Sequence, residues 1–188
     1  MITEVLFGTT ALLALAGGGA IRSYNRLIAL SQRCDQAYGD VDVQLRHRHD
    51  LIPSLVETVK GFASHERGII DALMSARAAA MRAATPDQKQ EAEAVLSVRL
   101  NQAIAQVESY PEVRGSEHFS ELRREISDVE NKIAAARRFM NMAVSEYNAS
   151  LAQFPNNVIS RKAGLHVRRF FDLGMDRVFV EEAPSFKF

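Results

Sequence analysis

The chain has 188 residues, and its 23 Lys plus Arg balance 23 Asp plus Glu, so no net charge draws it to nucleic acid and its length suits one domain with a sizeable core. A single cysteine, Cys34, excludes an intrachain disulfide and a cysteine-rich metal knuckle; its spacing after Leu27 and Leu30 reads as a small buried apolar residue. Absent tryptophan, 7% aromatics and abundant Ala, Leu, Glu and Arg favour an all-α chain.

Residues 5–21 carry no charge and hold Val5, Leu6, Phe7, Leu12, Leu13, Leu15 and Ile21. At about 1.5 Å per residue this run is at the short limit for a hydrocarbon core of about 30 Å, and residues 1–21 are expected to form an N-terminal transmembrane helix. Ala14-Leu15-Ala16 resembles a signal-peptidase site, but the preceding segment has Glu4 in place of Lys or Arg, which favours an uncleaved anchor. Arg22, Arg26 and Arg33 follow the run and no cation precedes it, so the positive-inside rule places residues 22–188 in the cytoplasm. Thr10, Ala14 and Gly18, spaced four apart, offer a stripe on which anchors could pack.

Residues 22–155 are expected to form a bundle of long helices, elongated and antiparallel, in three to four segments. From Arg22 to about Ala84 apolar residues recur in a three-four alternation, first through Leu27, Leu30, Cys34, Ala37 and Val41. After Pro53 it resumes through Leu55, Val59, Phe62, Glu66, Ile69, Leu73, Ala76 and Ala80, predicting one very long helix kinked near residues 49–53. Thr85-Pro86-Asp87 breaks it and caps a second helix, about Pro86 to Ser109, burying Ala92, Val95, Leu96, Leu100, Ala103 and Val107. A turn at residues 110–115 leads to a third, about Ser116 to Gln153, whose seam runs Phe119, Leu122, Ile126, Val129, Ile133, Ala136, Met140, Ala143, Tyr147 and on to Phe154. Residues 156–188 read as an irregular tail with a short helical turn near residues 167–173.

Residues 40–61, with the basic knot Arg46-His47-Arg48-His49 leading into Asp50-Leu51-Ile52-Pro53, resemble the signature of the LemA family of bacterial membrane-anchored helical proteins. Tyr24-Asn25-Arg26-Leu27, Val59-Lys60-Gly61-Phe62 with His65-Glu66, Glu130-Asn131-Lys132-Ile133 with Arg137, Tyr147-Asn148 and Phe154-Pro155-Asn156-Asn157 are similar to further family motifs in the same order. Met140-Asn141 departs from the usual aromatic-Asn pair, and Arg161-Lys162-Ala163 replaces a more apolar run. The resemblance implies a bacterial inner-membrane protein crossing once; some relatives are tied to magnetosome membrane biogenesis. It makes Tyr24, Asn25, Arg46, His49, Asp50, Pro53, His65, Glu66, Asn131, Arg137, Asn148 and Pro155 the motif positions, as setters of fold and register.

His49, Asp50, His65 and Glu66 are the residue types of a metal or acid–base site. Their spacing opposes it: His47 and His49 diverge by about 200° on a helix, and His65 lies roughly 24 Å beyond His49 if the helix is continuous. No nucleophile elbow or phosphate-cradling glycine loop is present, so no catalytic residue, metal or cofactor is expected. Glu130, Asn131, Arg137, Asn141 and Asn148, recurring along the third helix, invite a hydrogen-bond network with the basic knot that would hold long helices in register; the other reading is ordinary surface polarity. In the tail, Arg168 and Arg169 precede Phe170 and Phe171; either they touch lipid, or the phenylalanines cap the bundle's own core. The expectation is a non-enzymatic membrane scaffold, self-associating as a homo-oligomer, with the bilayer and unidentified proteins as partners and no nucleic acid. The alternative is an adaptor or regulator of a membrane protease or signalling system.

Overall fold

A computed structural model describes residues 2–59 and 67–171, without the side chains of Ile2, Glu4, Val5 and Ala16. Among these residues the secondary structure is wholly helical: α1 (Ile2–Val59), α2 (Arg67–Arg82), α3 (Pro86–Glu108), a single turn α4 (Pro111–Arg114), α5 (Glu117–Ala152) and α6 (Asn156–Ala163). The short helical turn expected near residues 167–173 is not formed over 167–171, where the Asn148 side chain takes both the N–H and the carbonyl of Arg168; residues 172 and 173, the seam position Phe62 and the motif positions His65 and Glu66 lie outside the described residues. No helix of the described residues is long and apolar enough to cross a membrane.

The chain divides into two compact units. One comprises Met1–Asp40 and Arg138–Phe170, the other Val41–Arg137 and Phe171–Phe188. The second is a four-helix bundle. Lys89 pairs with Asp42, Glu93 with His49, and Ser97 with Arg48, so α1 and α3 run the same way. Arg77 of α2 meets His49, while Ile69 and Ile70 lie beside Val59 and Val107, so α2 runs oppositely. Arg123 of α5 pairs with Glu108 at 2.7 Å, and Glu130 meets Arg48, so α5 also opposes α1. The result is an up-down-up-down arrangement around Ile52, Leu55, Leu73, Leu96, Leu100, Phe119 and Ile126.

The single long helix expected from Arg22 to Ala84 is therefore corrected: α2 packs back against the level of α1 from which it came. A seam keeps its three-four period whether two segments are collinear or folded together, so periodicity alone does not distinguish the cases. Pro53 does not end α1, which remains helical through Val59. Its side chain is exposed, and the acceptor that its missing N–H would leave free, the carbonyl of His49, receives Arg77 Nε at 2.7 Å. The proline thus creates a docking point for the returning helix.

The start of α3 follows the sequence closely. Thr85 accepts from the Gln88 N–H at 3.2 Å, while the Gln88 side chain reaches back to the Thr85 N–H, forming a capping box. On α3, Leu96, Leu100, Ala103 and Val107 are buried as expected, but Val95 is about half exposed. Its inner face instead takes in Glu93 and Ser97.

In the first unit α1 and α5 bury Leu27, Leu30, Cys34, Ala37, Met140, Ala143, Val144, Tyr147 and Leu151. The tail departs from the irregular chain expected of it. α6 forms and is held against α5 by Asn156, whose amide donates to the Ser150 carbonyl at 3.1 Å and hydroxyl at 3.0 Å. Gly164, at φ +67°, closes α6 in the left-handed conformation that a side chain disfavours, and the Leu165 N–H returns to the Ser160 carbonyl. Phe154, placed by periodicity on the α5 seam, is 83% exposed because α5 stops at Ala152.

Candidate functional site: a buried ion network across four helices

The densest polar cluster of the described residues lies within the second unit, and it is built on the basic knot. Arg48 occupies the α1 seam, at the four-three spacing of Val41, Leu45, Ile52 and Leu55, and is 1% exposed. Glu93 begins the α3 seam of Leu96, Leu100 and Ala103 and is fully buried. Each helix therefore carries one charge where its period requires an apolar residue, and the two charges are opposite.

Arg48 Nη2 pairs with Glu93 Oε2. Its Nη1 donates to Ser97 Oγ at 2.6 Å and to Glu130 Oε1 of α5 at 2.9 Å. His49 Nε2 lies 2.8 Å from Glu93 Oε1, and Ser97 Oγ donates to the Glu93 carbonyl at 3.0 Å. Burial alone would raise the Glu93 carboxyl; the His49 hydrogen bond and the Arg48 charge outweigh it and hold the group below the ordinary glutamate value. An ionised carboxylate only accepts, so the His49 ring nitrogen facing it carries the proton. With Arg77 on the His49 carbonyl, all four helices meet at one level.

A second tie lies nearer the start of α3. Asp42 accepts from Lys89 and from Arg46, the latter at 2.8 Å. Burial would raise the Asp42 carboxyl, but the hydrogen bond and charge of Lys89, with those of Arg46, keep it below its usual value.

The motif positions fall into distinct places. His49 enters the network, whereas His47 and Asp50 are exposed, in keeping with their divergent directions on the helix. Arg46 sits outside, on Asp42. Arg137 is buried with its guanidinium 5.9 Å from the centre of the Phe171 ring. Asn148 accepts from the Arg168 N–H at 3.0 Å and donates to its carbonyl at 2.9 Å. Tyr24, Asn25 and Asn131 are exposed, and Pro155 follows a cis bond. Among the described residues no group of three His, Cys, Asp or Glu side chains could hold a metal ion.

Of the four tail residues read as lipid-facing or core-capping, Phe171 takes the second role, at 3% exposure. Arg168 is bound to α1 and α5 of its own unit: its guanidinium meets Asp35, with Nη2–Oδ2 at 3.1 Å, donates to Ser31 Oγ at 2.9 Å and lies over the Tyr147 ring. Arg169 is exposed and Phe170 is 54% exposed.

Sequence reasoning placed Glu130 in a network with the basic knot but missed Glu93 and Ser97. The available signal was the pair of opposite charges on two apolar seams. Arg48, Glu93 and Ser97 are at most 2% exposed, and their contacts tie α1, α3 and α5 together at one height. Sliding one helix by a turn would bury a charge without its partner, which costs several kcal/mol.

The second unit is an all-helical bundle with an internal ion network, and the described residues of the whole chain are helical and turn structure without strands. The chain belongs to the LemA family, whose family model matches residues 37–188. No curated protein matches it.

Proposed function

We propose that the protein is a scaffold anchored in the bilayer by the start of α1, which self-associates and organises membrane or recruits partners there. One observation carries the reading. Leu6, Phe7, Leu12, Leu13, Leu15 and Ile21 are each 64–84% exposed, and at 100° per residue they surround the whole circumference of α1. A helix lying on a surface, or docking on one partner, would gather its large apolar residues on one side. A helix apolar all round suits lipid on every side.

Counted from the sequence with Val5 and Ala16 included, the uncharged run of residues 5–21 reaches the short end of the roughly 17–25 residues a span requires. Arg22, Arg26 and Arg33 then support a cytoplasmic location for the rest of the chain. The ion lock supports a mechanical role, since it fixes helices against sliding and offers no open reaction site.

Carbonate extraction of membranes tests the anchor: the full chain is expected to stay in the pellet, and Leu12→Arg with Leu13→Arg to release it. Light scattering of the detergent-extracted chain tests self-association. A strict monomer at every concentration would overturn it.

A further inference from the structure

The tail residues expected at lipid, Arg168 and Phe171, are occupied by the fold, but a neighbouring surface is not. α6 turns Asn156 and Ser160, one helical turn apart, towards α5 and buries both. Val158 lies on the opposite face, 49% exposed, with Arg161 and Lys162 three and four residues on and therefore on either side of it. Phe154, just before the helix, is 83% exposed.

This face lies at the anchor end of its unit. Cys34 and Asp35 of α1 share the level of Tyr147, where Arg168 joins both helices. α5 keeps its antiparallel sense to α1, so its end at Ala152 and the following α6 lie near Leu27, which is fully buried. Arg22 and Arg26 precede Leu27 on α1 and are exposed.

The charge of this region is one-sided. Residues 5–34 and 147–171 together contain no Asp or Glu, yet hold Arg22, Arg26, Arg33, Arg161, Lys162, Arg168 and Arg169. In a chain of zero net charge that is a strong segregation. Arg33 is paired with Glu146 at 3.0 Å and Arg168 with Asp35, so the cations turned outward include Arg161 and Lys162 of α6 and Arg22 and Arg26 of α1.

We propose that the outer face of α6, with Phe154 inserted and Arg161, Lys162, Arg22 and Arg26 around it, rests on the anionic headgroups of the bilayer. Cations attract anionic lipid within a Debye length of the surface, and an exposed phenylalanine is accommodated at the boundary with the acyl chains. This surface rests on the anchor reading, which delivers it to the membrane. It takes the place of Arg168 and Phe171 as a lipid contact and makes the orientation of the first unit depend on lipid charge.

The absence of tryptophan supplies the test. Full-length Phe154→Trp protein, reconstituted into phosphatidylcholine vesicles with or without phosphatidylglycerol, carries one reporter. With the anionic lipid, emission is expected to shift to the blue and acrylamide quenching to fall severalfold. Arg161→Glu with Lys162→Glu, and independently the milder Arg22→Gln with Arg26→Gln, should return quenching towards the phosphatidylcholine value while helical circular dichroism is unchanged. Equal quenching in both lipids, or indifference to both charge changes, overturns the surface while leaving the anchor intact. Protection in native membranes but in neither vesicle would show a protein in place of lipid and also overturns it. A chain that floats with neither vesicle overturns the anchor and the surface together.

Discussion

Arg48→Met leaves Glu93 buried without its guanidinium, while a side chain of similar length fills the space. Removing one partner of a buried pair costs about 3–5 kcal/mol, a large part of a domain's stability of roughly 5–15 kcal/mol. With a urea dependence of about 2 kcal/mol per molar, the midpoint of helix loss by far-UV circular dichroism should fall by about 2 M at neutral pH. Arg48→Met with Glu93→Met removes both charges, and Glu130, about one-third exposed, can turn to water. The double variant should therefore be more stable than Arg48→Met alone. The pH response should also change sign. In the parent protein Glu93 is held below its ordinary value of 4.5, so its stabilisation is present above that value and is lost as pH falls through the lower folded value. In Arg48→Met, burial is less opposed and the folded value rises, so moderate acid should recover stability. A loss under about 1 kcal/mol, or a double variant as unstable as the single, would refute the register-lock reasoning.

Three further outcomes follow from particular contacts. Arg77→Met should cost about 1–3 kcal/mol by stranding the His49 carbonyl, and clearly less in a Pro53→Ala background, where the restored N–H serves that carbonyl; equal costs in a urea double-mutant cycle would refute the docking role of the proline. Thr85→Ala should lower stability by about 1 kcal/mol by opening the capping box, whereas Thr85→Ser should cost much less; equal urea midpoints for the two would show that the cap contributes nothing. Cys34 is 1% exposed, and burial raises its thiol above the ordinary value despite nearby Arg168. Asn148→Ala removes both hydrogen bonds to the Arg168 backbone and should speed Cys34 labelling about tenfold or more, read by mass spectrometry. An unchanged rate would mean that this segment does not guard the thiol.

Much of the bundle was legible because helical burial repeats along the chain itself. Leu55, Leu73, Leu100, Phe119 and Ile133 fall on their seams and are buried, and Thr85-Pro86-Asp87 marked a helix start to the residue. The reversal before α2 was not legible, because collinear and folded-back segments keep the same period. α6 was missed because it is short and polar, and its inner side chains, Asn156 and Ser160, are not apolar.

The network divides in the same way. Arg48 and Glu93 are visible as charges at apolar positions, and Arg46-His47-Arg48-His49 with Pro53 marks the family. Read along the chain, that turn resembled a ligand cluster followed by a kink. Only the packing showed that His49 turns inward while His47 turns out, that His49 meets Glu93, and that the carbonyl left by Pro53 is met by Arg77. Periodicity is a property of each helix and can be read from one strand of text. The partner of a buried charge depends on which helices lie side by side and at what height, and only the tertiary structure decides that.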